Sequence, residues 1–276
     1  MAKIKKLFKA FVPPIIISAV QRIKTSVKTQ EGWSGNYASW AEAQIKCTGY
    51  DSEVILEKCK SALLKVKNGE AKYERDSVLF DEIHYSLGLL AGLLRAALEN
   101  NGKLFVLDFG GSLGSTYYQK KEFLSALKEL QWCIVEQPHF VDCGKEFFEN
   151  DQLKFYDTIE ECITKHKPNV LLLSGVLQYL EKPYEWIEKL VRLSIPYIII
   201  DRTSFIESET DILTIQNVPE SIYPASYPAW FFNYKHFSKY FTGKYDLILD
   251  FEDSFTVNIL LMGNNCSWKG LIFRKK

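Results

Sequence analysis

Leu104-Phe105-Val106-Leu107-Asp108-Phe109-Gly110-Gly111-Ser112-Leu113-Gly114 is an apolar run that ends in an acid and then breaks into glycines. A strand buried in a parallel sheet is typically a continuous apolar run. Glycines directly after such a strand let the backbone turn tightly and approach a ligand closely, because they have no Cβ. The stretch therefore predicts a buried strand followed by a turn that binds a nucleotide-like ligand.

Composition and charge limit the classes of protein that this chain can belong to. It has 276 residues, 47% of them hydrophobic and 25% charged, which is ordinary for a globular domain. The formal net charge is zero, so no global field favours nucleic acid as a partner. The six cysteines form no C-x-x-C pair and only four histidines accompany them, which argues against a zinc site. We expect reduced thiols, no metal and a cytoplasmic location.

Residues 1–30 form a basic, amphipathic N-terminal segment in which lysines alternate with apolar side chains. Such a segment can contact an anionic membrane surface, which predicts peripheral binding at the inner membrane surface. A helix packed on the body or a frayed terminus is the alternative. A signal peptide is disfavoured because Pro13 and Pro14 interrupt the apolar region. The apolar run 11–20 is shorter than the ~18 residues needed to span a bilayer.

The sequence pattern changes near residue 100. Residues 31–102 indicate a helical region, with helical spacing of apolar residues over 52–67 and 81–98. From residue 103, strand and helix patterns alternate, which predicts crossover units on a parallel sheet. Two strand-like runs, 245–251 and 256–262, predict a closing antiparallel hairpin. The other predicted strands are 104–108, 132–136, 153–156, 170–174 and 197–201, and the helices between them are 116–130, 140–149, 158–166 and 182–193.

The glycines and a second acid together predict the kind of ligand. In an open α/β sheet, ligands bind at the carboxyl ends of the strands, where the strand order reverses. Glu136 ends the second predicted strand, where an acid characteristically accepts hydrogen bonds from ribose hydroxyls. Gly110, Gly111 and Gly114 with Glu136 therefore predict an adenosine-like ligand. A tight turn beside a solvated acid is the structural alternative.

The spacing of the glycines discriminates between adenosine cofactors. A dinucleotide fingerprint G-x-G-x-x-G ending at Gly114 would need a glycine at position 109, which is Phe109. The alternative pattern, acid-x-Gly-x-Gly-x-Gly, matches Asp108, Gly110 and Gly114 but has Ser112 at the middle glycine. The spacing thus disfavours a nicotinamide dinucleotide.

With these residues the chain resembles the class I S-adenosylmethionine-dependent methyltransferases. Residues 169–180 are similar to the fourth-strand motif of that family, and the closing hairpin supports the likeness. The resemblance implies an α/β, Rossmann-like, seven-stranded sheet, mostly parallel with an antiparallel C-terminal hairpin and preceded by a helical N-terminal region. It also implies that residues 103–276 form the domain that binds S-adenosylmethionine and that residues 31–102 form a lid.

Four short segments resemble one uncharacterised branch of these enzymes, which is associated with bacterial surface-polysaccharide gene clusters. They are residues 33–37, 73–77, 136–138 and 227–231. This likeness implies a small-molecule or glycan acceptor.

The family resemblance implies roles for individual residues. Asp108 would organise the loop near the sulfonium and amino group, the glycines would admit the methionine portion, and Glu136 would hold the ribose. Asp157 is a weaker candidate for the adenine amino group, and a helix N-cap is its alternative. The implied cofactor-binding set is Asp108, Gly110, Gly111, Ser112, Gly114, Glu136, Gln137, Pro138, Asp157, Ser174, Gly175 and Gln178.

A hydroxyl acceptor would need a base, and histidine titrates near working pH. The favoured catalytic candidates are His84, expected on a helix before the first strand, and Asp201, at the end of the fifth. His139 and His236 are further candidates for the base. The aromatic insertion 221–232 is placed where it could cover the site and stack on sugar rings. The substrate-binding candidates are Tyr179, Arg202, Tyr227, Trp230 and His236.

The function implied is methyl transfer from S-adenosylmethionine to a hydroxyl of a carbohydrate or related small molecule in surface-polysaccharide biosynthesis. Two other classes stay open. A catalytically degenerate subunit that binds a partner is favoured by Ser112 together with the absence of an obvious base. A sugar-nucleotide oxidoreductase is disfavoured by Phe109.

Overall fold

The computed structural model describes residues 32–48, 52–219, 222, 225–252 and 259–276. The predicted N-terminal segment 1–30, the tip of the aromatic insertion and the polar turn after residue 252 lie outside the described residues. None of the helices in the described ranges is long and apolar enough to cross a membrane.

Strands and helices alternate through most of the described chain. The strands are β1 (Gly32–Ser34), β2 (Tyr73–Arg75), β3 (Val78–Phe80), β4 (Lys103–Phe109), β5 (Glu129–Val135), β6 (Leu153–Tyr156), β7 (Val170–Ser174), β8 (Tyr197–Ile206), β9 (Ile212–Asn217), β10 (Ser226–Asn233), β11 (Tyr245–Glu252), β12 (Ile259–Leu261) and β13 (Asn264–Lys275). The α-helices are α1 (Trp40–Ile45), α2 (Ser52–Lys67), α3 (Leu87–Glu99), α4 (Ser115–Lys120), α5 (Pro138–Phe147), α6 (Ile159–Lys165), α7 (Pro183–Arg192) and α8 (Tyr234–Thr242), and a 3-10 helix spans Leu177–Tyr179.

A mostly parallel sheet forms the centre of the molecule, as predicted. Strands β6, β5, β4, β7 and β8 lie side by side in that order and run parallel. Strand β13 is antiparallel to β8 and to β11, so β11 runs in the direction of β8. These seven strands form the expected core. Strands β1, β9, β10 and β12 extend it to eleven in the described residues, so the expected strand number was too low.

Both faces of the sheet are covered by helices. Alternate residues of β8 belong to different cores: Ile199 packs with α3, whereas Ile198 and Ile200 pack with α6, α7 and α8. This period of two explains the continuous apolar run of the strand. The predicted strands 153–156 and 170–174 match β6 and β7: polar residues flank both segments, and β6 is apolar except for Lys154.

The partner predicted for the C-terminal hairpin was wrong. Strand β11 pairs with β13, and residues 259–261 of the predicted partner form the short β12, which turns into β13. In the first half of β13, polar residues alternate with the buried Cys266 and Trp268, and the second half is the continuous buried run 270–273. It pairs with β8 on one side and with β11 on the other.

Two predicted helices differ from the structure. Helix α4 ends at Lys120 instead of continuing to 130, because the chain forms successive turns before β5 begins. Helix α3 begins at Leu87, where the Ser86 hydroxyl accepts a hydrogen bond from the Leu89 amide and caps the helix. Consequently His84 precedes the helix and does not lie on it.

Residues 73–80, expected within a helical region, form a β-hairpin. Its two-residue turn is Asp76-Ser77, and both residues are left-handed, with φ of 52° and 67°. Two left-handed residues are the conformation of a type I′ turn, which matches the twist of the flanking strands. Aspartate tolerates this conformation better than most residues, but serine gives little signal for it.

We predict that Asn169→Ala lowers the free energy of unfolding by about 2–3 kcal/mol, because buried polar groups would lose their partners. The Asn169 carboxamide oxygen accepts from the Phe105 amide at 2.7 Å, and its nitrogen donates to the Ala96 carbonyl at 3.0 Å. Chemical denaturation measures the effect. Asn68→Ala, which removes an exposed amide bonded to Glu70, is the control and should change stability little. Equal effects of the two substitutions would contradict the prediction.

Candidate functional site

A cavity of about 880 Å³ lies at the carboxyl ends of the parallel strands. From β4 the chain proceeds outward to β5 and β6, then returns to β7 on the other side of β4. The loops after β4 and β7 therefore diverge, and a crevice opens between them. The cavity is large enough for a cofactor-sized ligand together with a small acceptor.

Most of the predicted site residues line this one cavity. All of the predicted cofactor-binding residues do so except Gly114, and His84, Asp201, Tyr179, Arg202 and Tyr227 line it as well. Trp230 and His236 lie outside it. Trp230 lines a second, smaller cavity. The Trp230 indole donates to the Leu180 carbonyl at 3.1 Å. His139 does not line the large cavity either.

The loop after β4 has the conformation that its glycines predict. Gly110 has φ of 74°, and a Cβ there would lie 2.5 Å from Val176 Cγ2. Ser112, which stands where the family pattern has glycine, is also left-handed, with φ of 53°. This conformation costs a non-glycine residue roughly 1–2 kcal/mol. The serine therefore keeps the backbone shape of the glycine pattern.

Asp108 lies buried beneath this loop, with 1% of its surface exposed. The Trp132 indole donates to Asp108 Oδ2 at 2.9 Å, and Oδ1 has no hydrogen-bond partner among the described residues. Burial raises the pKa of Asp108 to about 7, the Trp132 hydrogen bond opposes this rise, and the charge of Glu136 adds to it. Sequence reasoning missed Trp132, because nothing local to it signals a contact 24 residues away.

Two further acids lie at the ends of β5 and β6. Glu136 accepts a hydrogen bond from the Gln137 amide at 2.7 Å, and burial raises its pKa against the opposing effect of the Gln137 and Ser112 backbone. Asp157 lines the same wall of the cavity and lies 3.8 Å from the Lys145 ammonium. Thr158, not Asp157, caps α6, since its hydroxyl accepts from the Glu161 amide. The N-cap alternative for Asp157 is therefore wrong.

The charged lining of the cavity is mainly acidic. In the described part of the chain, two arginines line it, Arg75 and Arg202. Six carboxyl side chains line it with them: Glu74, Asp76, Asp108, Glu136, Asp157 and Asp201. This excess of carboxylates favours a ligand that bears positive charge and disfavours a polyanion such as a pyrophosphate.

The hairpin β2–β3 contributes a wall that the sequence did not predict. Glu74, only 3% exposed, accepts hydrogen bonds from the Ser115 hydroxyl and the Ser77 amide, and burial raises its pKa. Ser77 also contacts Cys59 of α2, with their side-chain heavy atoms 3.2 Å apart. The hairpin and α2 thus lie against the glycine loop and the start of α4.

Asp201 and His84 lie on the cavity wall, where a proton could be transferred. Asp201 is 3% exposed, and the Ser174 and Ser86 hydroxyls donate to its two carboxylate oxygens at 3.4 Å. His84 is exposed, and its carbonyl accepts from the Gln119 amide at 2.6 Å.

Lys120 is a buried cation that sequence reasoning missed. Burial lowers its pKa to about 8, and the charge of Asp201 opposes that shift. Its ammonium donates to Gln119 Oε1 at 2.7 Å. Lys120 is the last residue of the short helix α4, and nothing in the neighbouring sequence indicates that its side chain is buried.

The end of the cavity away from Glu136 is aromatic. Tyr179 donates to Gln216 Oε1 at 2.8 Å, and its ring meets Tyr227 edge-on at 5.3 Å between centroids. Gln216 on β9 lies opposite Tyr227 on β10 in the antiparallel register of these strands, and Tyr179 of the 3-10 helix contacts both. The aromatic side chains lining this end are Trp33, Trp40, Tyr179, Tyr227 and Trp268, with the amides of Gln44 and Gln216 among them.

His236 belongs to a separate cluster. Its Nδ1 lies 3.3 Å from Asp211 Oδ2, and its ring packs on Tyr184 at 4.6 Å between centroids. Asp211 also accepts from the Tyr184 hydroxyl at 2.7 Å. The structure therefore does not bring His236 to the cavity with Asp201, and its predicted contact with substrate lacks support.

No family model and no curated protein matches the chain. Among solved structures it is similar to the N-terminal domain of EvdMO1 with S-adenosylhomocysteine and D-fucose, at 12% identity over 82% of this chain and 98% of that chain, with a TM-score of 0.45. It is also similar to magnesium protoporphyrin IX methyltransferase from Synechocystis with bound S-adenosylmethionine, at 12% identity, 69% and 79% coverage and a TM-score of 0.43. A third is the N-methyltransferase NodS from Bradyrhizobium japonicum with S-adenosylhomocysteine, at 13% identity, 71% and 89% coverage and a TM-score of 0.39. Likenesses at this level do not assign an activity to this chain.

We predict that Asp108 makes the folded protein less stable as the pH rises from about 4, the usual carboxyl value, towards 7. Its pKa of about 7 in the folded chain means that the folded state binds more protons than the unfolded state in this window. Asp108→Asn should remove this part of the decline, since an amide does not titrate.

Chemical denaturation at a series of pH values from 4 to 8 measures the difference between wild type and variant. Trp132→Phe, which removes the hydrogen bond that lowers the pKa of Asp108 in the folded chain, should leave the start of the decline near pH 4 and extend its end to higher pH. A pH dependence of Asp108→Asn identical to that of the wild type would refute the prediction.

Proposed function

We propose that this protein is an S-adenosylmethionine-dependent methyltransferase. The observation that carries the proposal is the acid-lined cavity at the strand reversal, where the glycine loop and Glu136 lie at the ends of adjacent strands. The similar structures are of proteins crystallised with S-adenosylmethionine or S-adenosylhomocysteine, which agrees with this choice of ligand.

The residues present fit this cofactor. Glu136 would accept hydrogen bonds from the ribose hydroxyls, and Pro138 and Asp157 would border the adenine. Gly110 and Gly111 leave room that a Cβ would fill only by contact with Val176 or Asp108. When bound, the cofactor supplies a methyl group activated by its sulfonium.

The electrostatics of the cavity favour this cofactor over a dinucleotide. A sulfonium and an ammonium are both positive, and buried carboxylates that are fixed in place stabilise such charges without reorganisation. Glu74, Asp108 and Glu136 are all acids whose pKa is raised by burial, so a nearby positive charge would stabilise their ionised forms. A pyrophosphate would meet repulsion from the same groups. A sugar-nucleotide oxidoreductase is therefore the weaker reading.

The finer part of the proposal is a carbohydrate or related small molecule as acceptor, methylated on a hydroxyl. Aromatic faces bind the apolar faces of sugar rings, and amides such as those of Gln44 and Gln216 can hydrogen-bond their hydroxyls. The role in bacterial surface-polysaccharide biosynthesis comes from the sequence resemblance and belongs to the same proposal. The bound cofactor would supply the methyl group that the hydroxyl oxygen takes, and Asp201 or His84 would accept the hydroxyl proton and release it to water.

The alternative of a catalytically degenerate partner-binding subunit was suggested by Ser112. Because Ser112 adopts the left-handed conformation, the loop keeps its shape, and this residue no longer favours that alternative. Binding and turnover assays discriminate between the two functions.

We predict that the wild-type protein binds S-adenosylhomocysteine and that Glu136→Ala weakens this binding roughly tenfold or more, because hydrogen bonds to a charged group contribute about 1.5–3 kcal/mol. Isothermal titration calorimetry measures both affinities. Glu129→Ala is the matched control, since Glu129 begins the same strand at the opposite end and pairs with Lys103. An unchanged affinity of Glu136→Ala would contradict the ribose assignment, and failure of the wild type to bind would contradict the proposed function.

We predict that Tyr227→Ala raises the acceptor KM roughly tenfold while leaving the affinity for S-adenosylhomocysteine unchanged, because burial of an aromatic ring contributes about 1.5–3 kcal/mol. The assay is mass-spectrometric detection of one added methyl group across a panel of sugars, small amines and peptides. Tyr240→Ala, on α8 outside the large cavity, is the control. Methylation of amines or peptides alone would refute the carbohydrate acceptor.

A further inference from the structure

Arg202 is a cation fixed in the cavity wall by unusual local structure. It follows Asp201 in β8 and has φ of 54°, a left-handed conformation that costs backbone energy and persists only where the surroundings hold it. Gln178 supplies part of that support, because its amide nitrogen donates to the Arg202 carbonyl at 3.0 Å. A Cβ on Gly175 would lie 3.8 Å from the guanidinium carbon, so the side chain extends over the end of β7.

The tip of the β2–β3 hairpin meets this guanidinium. Asp76 Oδ2 lies 2.5 Å from Arg202 Nη2, and Asp76 is the one carboxylate in the described ranges that forms an ion pair with Arg202. The Arg202 side chain is 29% exposed and lines the cavity, so this contact lies at the surface of the ligand space.

The chemistry of guanidinium suits it to a carboxylate ligand. It carries five N–H donors in a planar fork that matches the two oxygens of a carboxylate. The contact with Asp76 joins one nitrogen to one oxygen, which leaves donors for a ligand. In a cavity otherwise lined mainly by acids, a ligand carboxylate finds its counter-charge at an arginine.

We propose that Arg202 is the subsite for a carboxylate of the bound ligand and that Asp76 is an internal competitor for the same guanidinium. The inference rests on the proposed function. The carboxylate has two possible sources, the amino-acid part of the methyl donor and an acidic sugar at the acceptor end. The arms of the test distinguish them.

The test uses Arg202→Gln and Asp76→Asn in the full-length protein. Asparagine is favoured in type I′ turns, so Asp76→Asn keeps the hairpin. Calorimetry compares S-adenosylhomocysteine with 5′-methylthioadenosine, which lacks the amino-acid part. If the donor supplies the carboxylate, Arg202→Gln weakens S-adenosylhomocysteine roughly tenfold and Asp76→Asn strengthens it, while 5′-methylthioadenosine is unaffected.

The second arm compares D-glucuronate with D-glucose in the presence of saturating S-adenosylhomocysteine. If the acceptor supplies the carboxylate, the wild type prefers glucuronate, Arg202→Gln abolishes that preference and Asp76→Asn increases it. Arg95→Gln, which removes an exposed arginine paired with Glu99, is the control in both arms and should change neither.

The opposite directions of the two substitutions separate a binding role from a structural one. An ion pair that only holds the hairpin would make both variants weaken all ligands alike, which would overturn the proposal. It is also overturned if Arg202→Gln changes neither the S-adenosylhomocysteine to 5′-methylthioadenosine ratio nor any glucuronate preference. If the wild type binds neither adenosyl ligand, the proposed function fails and this inference falls with it.

Discussion

The reversal of strand order between β4 and β7 is the constraint on which the rest of this structure depends. Parallel strands end at one edge of the sheet, and only where neighbouring connections leave in opposite directions does that edge stay open. The loop that begins at Gly110 and the turn at Gly175 line the two sides of the opening. Glu136 after β5, Asp157 after β6 and Asp201 in β8 line the cavity because their strands lie beside this reversal. The chemistry of the site is therefore assembled from strand ends, not from any one local motif.

Burial of negative charge at this opening explains why the site has a preference for ligand charge. Asp108 is held by one indole hydrogen bond and keeps one oxygen without a partner among the described residues, so the folded chain bears an electrostatic cost there. Glu74 and Glu136 add two more acids whose pKa burial raises. The cost is reduced when positive charge arrives in the cavity. Acids that destabilise the free protein are thus arranged to stabilise a cationic ligand.

How far the sequence could predict this structure depends on whether a signal is local. Strands β6 and β7 were predicted to the residue, since a short, mainly apolar segment flanked by polar residues is a local signal for a buried strand. The turn Asp76-Ser77 lacks the glycine that marks most such hairpins, and the first half of β13 places polar residues between its apolar ones, so neither gives a clear local signal. Trp132, Glu74 and Lys120 matter through contacts with distant segments, and no local pattern announces such contacts. The cofactor side of the site was therefore more predictable than the wall opposite it.

Two non-glycine residues that line the cavity have left-handed backbone conformations. They are Ser112 in the loop after β4 and Arg202 in β8. The region before the sheet contacts both sides: Glu74 of the hairpin accepts from the Ser115 hydroxyl just after the glycine loop, and Asp76 pairs with Arg202. Strained backbone persists only where surrounding contacts over-determine it. Residues 52–80 therefore do more than cover the cavity. Through Glu74 and Asp76 they contact the cavity wall on the side of the glycine loop and on the side of β8, so the shape of the site depends on a segment outside the parallel sheet.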